Sequence, residues 1–437
     1  MHSPNSDASG LPHTPYSRAA GHGLRLPELD ADAEVDVAVI GGGVTGLSTA
    51  LHAAQNGQRV ALLEAKEVAW GASGRNSGHI PAATRQEPAA ILKAFGPVYG
   101  PRIVHASREA PELVFGLAAR HGMEVSACRN GGIQAAHTEA ALAKLRRRVS
   151  DLKALGYELE LLDARQTAER VGCRPGLYLG AVRDPAGGTL NPLAYARGLA
   201  RAAQAAGAQL YERSAARSLA RAGGAWQVKT ARAALRARFV VLCTNGYSDG
   251  LLPRLWRSIV AVRAYQFMTP PLPEPVRRRI LPGGEGFTDT RRMMSGVRLH
   301  ADGRLHFSGI GPFFGAEREP DVKASLARMH QLFPELAGIG LDYWWSGWMA
   351  MNGETTWKLH ELDEGLLAAL GCNGRGVGLG TVYGRELAGF IAGKPAAELI
   401  MPFQPVRRIR THSVRQPAVS LLARGYRVLD AMETREP

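Results

Sequence analysis

Three glycines, Gly41, Gly43 and Gly46, are the residues of this chain whose spacing points most directly to chemistry. They follow an apolar run at 35–40, and this order predicts a strand, a tight turn and a helix. A turn of this spacing lets the backbone approach a pyrophosphate and lets the helix pack against the strand. Free amide groups at the start of that helix, near Thr45, would then stabilise the phosphate charge.

A second apolar run at 60–63 ends in Glu64 and Ala65. At the end of the second strand of a βαβ unit, an acidic side chain accepts hydrogen bonds from a ribose. The strand, the glycine turn, the helix and the acid together predict a binding site for the adenosine diphosphate half of a dinucleotide.

Three later segments have the composition of loops that lie against a ligand. The stretch 70–79 contains too much glycine for a helix or a strand. Residues 244–246 follow a predicted buried strand at 239–243, and ligands bind at the carboxyl ends of strands in a doubly wound sheet. A late strand at 366–370 leads into the glycine-rich turn 371–380 and then a helix.

The composition is that of an ordinary globular protein with an unusual charge. Of 437 residues, 45% are apolar and 21% are charged, and the net charge is +14. The basic residues are scattered, whereas a nucleic-acid surface would show a stripe of basic residues with aromatic ones among them. We therefore do not expect nucleic acid as a partner, and the charge favours an anionic surface or an acidic substrate.

The cysteines and the N-terminal segment indicate the compartment. Four cysteines are far apart and match no metal-ligand spacing, which predicts reduced thiols and no structural metal. Residues 1–34 lack the apolar core of a secretory signal, and no apolar run reaches the length of a membrane span. We expect a cytoplasmic protein.

The order of the predicted elements indicates an α/β plus α+β fold, in which a Rossmann-like domain is interleaved with a substrate domain built on an antiparallel sheet. The expected boundaries are a flexible segment at 1–34, the cofactor domain at 35–87, 187–252 and 341–402, the substrate domain at 88–186 and 253–340, and a basic helical extension at 403–437.

These features resemble the flavin-dependent amine and amino-acid oxidases of the D-amino-acid oxidase family, which includes glycine oxidase and sarcosine oxidase. The resemblance runs from about residue 16 to the end of the chain and rests on six motifs. They are Tyr16 before an alanine-rich stretch, the Gly41–Gly46 fingerprint, Gly71–Asn76, Thr244–Tyr247, Asp289–Arg292 and Asn373–Val377. The resemblance implies a glutathione-reductase-type cofactor domain that binds FAD.

The resemblance also assigns residues to FAD: the early glycines to the pyrophosphate, Glu64 to the ribose, and the late turn to the pyrimidine end of the flavin. The residues expected to bind FAD are Gly41, Gly43, Thr45, Gly46, Glu64, Ala65, Ser73, Gly74, Arg75, Asn76, Ser77, Gly78, Thr244, Asn245, Gly246, Asn373, Gly374, Arg375, Gly376, Val377, Gly378 and Thr381. Some relatives tether the flavin through a cysteine in the strand around 346–351 or a histidine in the early loop. This strand lacks cysteine and the loop position is Asn76, so the resemblance implies non-covalent FAD.

One departure from the family concerns the substrate. In glycine oxidase and D-amino-acid oxidase, an arginine that binds the substrate carboxylate occupies the strand before the late turn, and the matching residue here is Trp348. A bidentate clamp needs a guanidinium, so a simple α-amino acid is disfavoured unless Arg263, Arg298 or another arginine supplies it. Trp348→Arg tests this alignment, which is wrong if the change creates neither activity on a small amino acid nor affinity for one.

Aromatic residues of the same strand have two interpretations. They line a pocket for an amine cation through their ring faces, or they pack in the core. The residues concerned are Tyr343, Trp344, Trp345 and Trp348.

The resemblance implies oxidation of a C–N bond of an amine, a polyamine conjugate or a secondary amine, by hydride transfer to flavin N5 and hydrolysis of the imine. Candidates for substrate contact are His79, Tyr265, Arg298 and Trp348. The acceptor is oxygen or another oxidant. In sarcosine oxidase a lysine promotes the oxygen reaction, and no lysine lies between Lys229 and Lys323 here. We favour an oxidase over a dehydrogenase.

Other readings stay open: an amino-acid oxidase or dehydrogenase, a flavoprotein that modifies transfer RNA, and a flavin-binding module without catalysis. The basic segment 407–437 either docks on its own domain or lies as an amphipathic helix on an anionic membrane.

Overall fold

The computed structural model describes residues 11–12, 14–21, 23–310, 323–410, 412 and 415–433. The helices are α1 (Pro15–Ala19), α2 (Val44–Gln55), α3 (Ala72–Arg75), α4 (Pro88–Arg120), α5 (Glu139–Ala154), α6 (Ala164–Val171), α7 (Pro192–Ala205), α8 (Pro253–Trp256), α9 (Glu274–Arg277), α10 (Lys323–Leu332), α11 (Gly376–Ile391) and α12 (Arg415–Met432). The strands are β1 (Ala33–Ile40), β2 (Val60–Leu63), β3 (His79–Ile80), β4 (Gly132–Ala136), β5 (Glu160–Asp163), β6 (Gly180–Asp184), β7 (Gly188–Thr189), β8 (Gln209–Tyr211), β9 (Ser218–Ala222), β10 (Ala225–Lys229), β11 (Ala234–Leu242), β12 (Val260–Pro271), β13 (Gly286–Asp289), β14 (Gly296–Leu299), β15 (Arg304–Ile310), β16 (Tyr343–Met351), β17 (Lys358–Asp363) and β18 (Leu366–Leu370).

The first sheet is largely parallel, with the strand order β17-β18-β11-β1-β2-β8. Strand β1 lies between β11 and β2 and is parallel to both, whereas β17 pairs antiparallel with β18 at the edge. The ribbon β9–β10 extends from β11. Parallel strands are covered on both faces, which explains why Val37–Ile40 is an unbroken apolar run and fully buried or nearly so. The predicted α/β part of the fold is confirmed.

Helices α2 and α11 pack against each other through small residues. A Cβ atom on Gly384 would lie 2.6 Å from Ser48 Cβ and 2.6 Å from the Thr45 carbonyl oxygen. The Ser48 hydroxyl donates to the Thr381 carbonyl at 2.7 Å. Because α2 follows β1 and α11 follows β18, this contact brings both glycine turns to the same edge of the sheet.

The second sheet has the order β16-β12-β15-β14-β13-β4-β6-β5 and is antiparallel except for the β4–β13 pair. Its outer face is an aromatic core in which Phe267 stacks on Phe307 with ring centres 5.2 Å apart. Helix α10 covers this core with Met329 and Leu332. The inner face is directed at the first domain. The predicted antiparallel substrate sheet is confirmed.

Two segments differ from the expected boundaries. Strand β16 pairs with β12 over its whole length and so belongs to the second sheet, although 341–402 was assigned to the cofactor domain. Its residue pattern fits a strand in either sheet, and only its hydrogen-bond pairing with β12 places it in the second sheet. In the N-terminal segment, which is expected to be flexible over 1–34, residues 1–10, 13 and 22 lie outside the described residues, but Tyr16 in α1 is 1% exposed because its ring lies between the two domains.

The C-terminal extension is helical, as predicted, and docks on the second sheet. Ala423 packs with Val262, and the Asp430 carboxylate accepts a hydrogen bond from the Met293 amide at 2.9 Å. The outward residues of α12 are apolar and exposed: Leu421, Leu422, Val428, Leu429 and Met432. Among the described residues, no helix is both long and apolar enough to cross a bilayer.

Candidate active site

The first glycine turn leaves no room for side chains. Gly41 has φ +111°, and a Cβ there would lie 2.9 Å from the Cys243 carbonyl oxygen. A Cβ on Gly46 would lie 2.0 Å from the Gly41 carbonyl oxygen, and one on Gly43 would lie 2.8 Å from Ser73 Oγ. The start of α2 can therefore approach a ligand with its backbone alone, as a pyrophosphate site requires.

Glu64 stands beside this turn at the end of β2. Its carboxylate accepts hydrogen bonds from the amides of Gly42 at 2.7 Å and Lys66 at 2.9 Å. Burial raises the pKa of the carboxyl group, and these two bonds oppose that effect. The acid is thus held rigidly next to the turn, in the place expected for a ribose contact.

A single cavity connects the two glycine turns. It begins at Gly43–Thr45 and Ser73, and the space between its walls, including the part open to solvent, is about 1310 Å³. It continues past Asn76 to the late turn at Gly374–Val377 and to the inner face of the second sheet. Residues that line it from the second sheet include Ala264, Gln266, Gly296 and Ser308.

The late turn is more open than the first. Asn373 has φ +47° and Gly374 has φ +80°, and the side chain of Asn373 bonds to the backbone of Asn352 and Gly371. A Cβ on Gly374 would meet only Met349 Sδ at 3.7 Å. The first turn of α11, which starts at Gly376, lines the cavity, so its free amide groups can meet negative charge there.

His79 is held in one orientation by both ring nitrogens. Nδ1 lies 2.9 Å from Ser77 Oγ, and Nε2 lies 3.1 Å from the Val297 carbonyl oxygen, which can only accept. Nε2 therefore carries the proton, and Nδ1 accepts from Ser77. Burial, with Arg298 next in importance, lowers the pKa of His79 to about 4. The imidazole is neutral near pH 7, and both nitrogens are engaged, so His79 shapes the cavity wall and is not a free base.

Tyr265 and Arg298, two of the expected substrate contacts, are absent from the cavity lining. Ala264 and Gln266 face the cavity, so Tyr265 between them faces the aromatic core, where it is 1% exposed. Arg298 is buried, donating to the Leu190 carbonyl at 2.8 Å and to the Tyr16 hydroxyl at 3.1 Å. The sequence placed both on the right sheet but could not show which face each uses.

Trp348 forms part of the cavity wall, but the strand register directs its side chain elsewhere. Gly347 pairs with Ala264, and Trp348 pairs with Arg263. Paired residues share a face, and neighbours along a strand alternate, so Trp348 and Arg263 lie on the face opposite Ala264. There the Arg263 guanidinium is 4.4 Å from the centre of the Trp348 ring.

The other aromatic residues of β16 also serve packing. Trp345 donates from its indole nitrogen to the Arg75 carbonyl at 2.8 Å, and its ring lies 5.6 Å from that of Tyr16. Trp344 packs in the aromatic core of the second sheet. The core-packing interpretation of these aromatics therefore holds for Trp344 and Trp345.

Several expected FAD residues support the cavity without lining it. A Cβ on Gly74 would lie 2.5 Å from the Ala69 carbonyl, and one on Gly78 would lie 2.1 Å from the Leu190 carbonyl. The expected residues that lie outside the lining are Gly41, Gly46, Glu64, Ala65, Gly74, Gly78, Thr244, Gly246, Asn373, Gly378 and Thr381. Those that line it are Gly43, Thr45, Ser73, Arg75, Asn76, Ser77, Asn245, Gly374, Arg375, Gly376 and Val377.

The sequence did not indicate several residues of the wall, among them one arginine, one glutamine and one tryptophan. Arg85 lies in the loop before α4, Gln266 lies on the inner face of β12, and Trp357 follows the β16 strand. Because side chains alternate along a strand, the neighbour of Tyr265 in β12 had to face the other side of the sheet, and this pattern could have indicated Gln266. Arg85 and Trp357 gave no local signal, because loops are placed only by the tertiary fold.

The glycine cradle, the rigid acid and the two helix starts around one cavity fit a bound dinucleotide. A doubly wound domain that opens onto a second, antiparallel sheet over this cavity defines the class as a dinucleotide-dependent oxidoreductase. The family "DAO: FAD dependent oxidoreductase" matches residues 36–389. The chain belongs to this family, and FAD is the cofactor that the family implies.

Relatives agree with this assignment. The chain is 30% identical to gamma-glutamylputrescine oxidoreductase of Escherichia coli, over 86% of this chain and 88% of that protein. It is 25% identical to glycine oxidase of Geobacillus kaustophilus, over 86% and 97% of the two chains. The crystal structure of the Geobacillus enzyme superposes with a TM-score of 0.73 at 23% identity, covering 86% of this chain and 99% of that one. The predicted membership of the D-amino-acid oxidase family is confirmed.

Proposed function

We propose that the protein oxidises a C–N bond of an amine, with a polyamine conjugate such as gamma-glutamylputrescine as the first substrate to test. The observation that carries the proposal is the cavity that runs from the first glycine turn to the inner face of the second sheet. Its lining residues connect the phosphate cradle with the inner face of the second sheet, where a substrate would bind. The similarity to gamma-glutamylputrescine oxidoreductase supports the choice of substrate.

We assign the adenosine end of FAD to Gly43, Thr45 and Glu64, and the flavin end to Ser73–Ser77 and the late turn. Bound FAD would accept a hydride at N5 from the carbon beside the nitrogen. The amides at the start of α11 stabilise negative charge that develops nearby. Gln266 and Ser308 offer polar contacts from the opposite wall, and neutral His79 keeps an extra cation out of the amine's surroundings.

We propose that FAD is bound non-covalently, and the residue at the loop tether position supports this. Asn76 uses its side-chain amide to donate to the carbonyls of Ala72 and Ser73, each at 3.0 Å, and its oxygen accepts from the Gly78 amide at 2.8 Å. It is thus a structural residue of the loop. We expect acid precipitation to release all flavin into the supernatant, whereas a tether would leave yellow protein in the pellet.

An anaerobic screen tests the function. Gamma-glutamylputrescine, putrescine, sarcosine, glycine and pipecolate are mixed with the flavoprotein, and loss of the oxidised flavin absorbance identifies a substrate without assuming an acceptor. We expect the polyamine conjugate to bleach the flavin fastest. Bleaching by glycine or sarcosine alone would favour the amino-acid reading, and no bleaching by any amine would favour a non-catalytic flavin protein.

Reoxidation decides between oxidase and dehydrogenase. We propose oxygen as the acceptor, and stopped-flow mixing of the reduced protein with air measures the rate. A return to the oxidised spectrum within the turnover time supports an oxidase. A return that is far slower than turnover with an artificial acceptor contradicts it and indicates a dehydrogenase.

A further inference from the structure

A second cavity lies at the edge of the first sheet, close to the late turn. It is formed by residues 258–259 before β12, residues 352–354 after β16, the edge strand β17 and the segment 404–409. It shares no lining residue with the main cavity, and the space between its walls, including the part open to solvent, is about 770 Å³. We call it the edge pocket and define it by its polar lining residues Asn352, Glu354, Lys358, His360, Gln404 and Arg408.

The wall of the edge pocket has an excess of positive charge. Lys358, Arg407 and Arg408 line it together with the carboxylate of Glu354. This carboxylate accepts hydrogen bonds from Lys358 and, at 2.9 Å, from Arg407, and these bonds lower the pKa of Glu354. Within the part of the chain that the structure describes, Arg408 forms no ion pair. Three cations against one carboxylate favour an anion in the pocket.

Gln404 contributes a hydrogen-bond donor without a partner. Its side-chain oxygen accepts from the ammonium group of Lys358, and this fixes the orientation of the amide because an ammonium group can only donate. The other end of the amide, Nε2, is buried and has no hydrogen-bond partner. Buried donors are almost always paired in folded proteins, so this nitrogen indicates a ligand that accepts a hydrogen bond.

The same wall contains acceptors. Asn352 donates from Nδ2 to the Thr356 carbonyl at 2.6 Å, which leaves Oδ1 buried and without a partner. His360 Nδ1 lies 2.6 Å from the Gln404 carbonyl oxygen, which can only accept, so this nitrogen carries the proton. Burial lowers the pKa of His360, so its ring is neutral near pH 7 and Nε2 is an acceptor. A ligand of the edge pocket must therefore donate a hydrogen bond as well as carry negative charge.

Few small anions meet both requirements. Carboxylates and sulfate carry negative charge at neutral pH but have no hydrogen to donate. Phosphate is negatively charged near pH 7 and still has at least one hydroxyl group. It can accept hydrogen bonds from Gln404 and Arg408 and donate one to Asn352. Sulfate has the same tetrahedral shape, which makes it the matched comparison.

The edge pocket contacts the late turn through Asn352. The backbone amide of Asn352 donates to Asn373 Oδ1 at 3.1 Å, and Asn373 Nδ2 donates to the Gly371 carbonyl at 2.6 Å. A Cβ atom on Gly371 would lie 2.3 Å from Asn352 Nδ2. Because groups packed this closely cannot move independently, a ligand bound to Asn352 would also restrict the late turn.

We propose that the edge pocket binds a hydrogen phosphate ion and that the bound ion stabilises the late turn. Binding of the ion does not depend on amine oxidation, whereas its effect on the flavin rests on the proposed assignment of the late turn to the flavin end of FAD. Phosphate is thus an effector that binds outside the main cavity.

Calorimetric titration of the FAD-loaded protein with phosphate and with sulfate, at pH 7 and equal ionic strength, tests the binding. Loading with FAD keeps phosphate out of the first glycine turn. We expect one phosphate ion per chain, bound at least about tenfold more tightly than sulfate, because sulfate leaves Asn352 Oδ1 without a hydrogen bond. Equal affinity for the two ions would overturn the proposal.

Two variants locate the bound ion. Gln404→Glu has nearly the same shape and keeps an oxygen for Lys358, but it replaces the donor by a second acceptor. We expect it to weaken phosphate binding at least about tenfold. Arg408→Gln removes an exposed cation, and we expect a loss of about threefold.

Arg165→Gln on α6 is the matched control, because this exposed arginine pairs with Glu169 one turn away on the same helix, and it should bind phosphate as the wild type does. Arg408 is exposed, so its variant keeps the proposal testable even if Gln404→Glu does not fold. Unchanged phosphate affinity in either folded variant would show that the ion binds elsewhere and would overturn the proposal.

The rate of FAD release tests the effect on the late turn. Flavin fluorescence is followed after dilution of the FAD-loaded protein into phosphate or sulfate. We expect release to be at least about twofold slower in phosphate, and the difference to disappear in Gln404→Glu. Equal rates in the wild type would contradict the stabilisation of the turn. Neither readout needs an amine, so phosphate binding without any amine oxidation would reject the proposed function and keep the phosphate site.

Discussion

The two glycine turns differ in how they meet a ligand. The first, at Gly41–Gly46, is filled by backbone, so that a methyl group at Gly46 would lie 2.0 Å from a carbonyl oxygen. The second, at Gly371–Gly376, leaves Gly374 with open space and projects Arg375 with an unsatisfied Nε. A cofactor that is the same in every family member can be held by backbone. The second turn, in contrast, presents the side chain of Arg375 to the cavity.

The largest effect is expected from Gly46→Ala in the first turn. The added methyl group must displace backbone, which costs about 3 kcal/mol, and it moves α2 away from the pyrophosphate. We expect FAD affinity to fall about a hundredfold, which corresponds to about 2.7 kcal/mol. Titration of the apoprotein with FAD measures it.

Gly116→Ala in α4 is the control, because a Cβ there meets no atom within 4 Å, and it should be neutral or slightly stabilising. Normal FAD affinity in Gly46→Ala would mean that the first turn is not a tight backbone cradle.

Trp348→Arg tests the register of β16 at the far end of the cavity. The new guanidinium would lie beside Arg263 in a buried site, and we expect a loss of about 3 kcal/mol in stability, with no gain of glycine oxidation. Met349→Arg places the same group on the cavity face and is the matched variant. Urea unfolding and anaerobic reduction by glycine check both. Glycine oxidation by Trp348→Arg would show that its side chain reaches the substrate after all.

His79 predicts a pH dependence of stability. Its folded pKa of about 4 lies below its ordinary value of 6.5, so the folded state favours the neutral ring. The full contribution of His79 to the free energy of unfolding is present above pH 6.5 and is lost as the pH falls toward 4. The stability lost at pH 5, relative to neutral pH, is about 2 kcal/mol.

His79→Gln should flatten the fall in the urea midpoint between pH 6.5 and 4.5 relative to the wild type. Other buried histidines, such as His306, are present in both proteins, so their contributions to the pH dependence cancel when the two profiles are subtracted. Parallel profiles would contradict a neutral, buried His79.

The smallest effect is expected from Gly374→Ala in the second turn. Only the positive φ of +80° resists the substitution, since the space is open, and this strain costs about 1 kcal/mol. Thermal melts of the apoprotein give the value. A loss as large as that of Gly46→Ala would erase the contrast between the turns.

Much of the fold followed from local patterns. The strands β1 and β18, each with its glycine turn and helix, are contiguous in sequence, and apolar runs with glycine at fixed positions admit few other structures. The antiparallel second sheet followed from Pro/Gly turns and from alternating strands such as 304–309, which lies within β15. The position of β16 did not, because its aromatic residues fit a strand in either sheet and only pairing with β12 settles the matter.

The candidate site likewise has one part that the sequence predicted and one part that only the tertiary structure decided. Sequence alone predicted the cofactor end, because glycines without room for a side chain and an acid at the end of β2 indicate a backbone site within one continuous stretch. Tertiary structure decided the substrate end. The face of β12 and of β16 that meets the cavity depends on contacts between segments that are distant in the sequence. Arg85 and Arg375, which line the same cavity and have no carboxylate partner among the described residues, are nearly 300 residues apart. Such contacts arise from packing and leave no pattern in the local sequence.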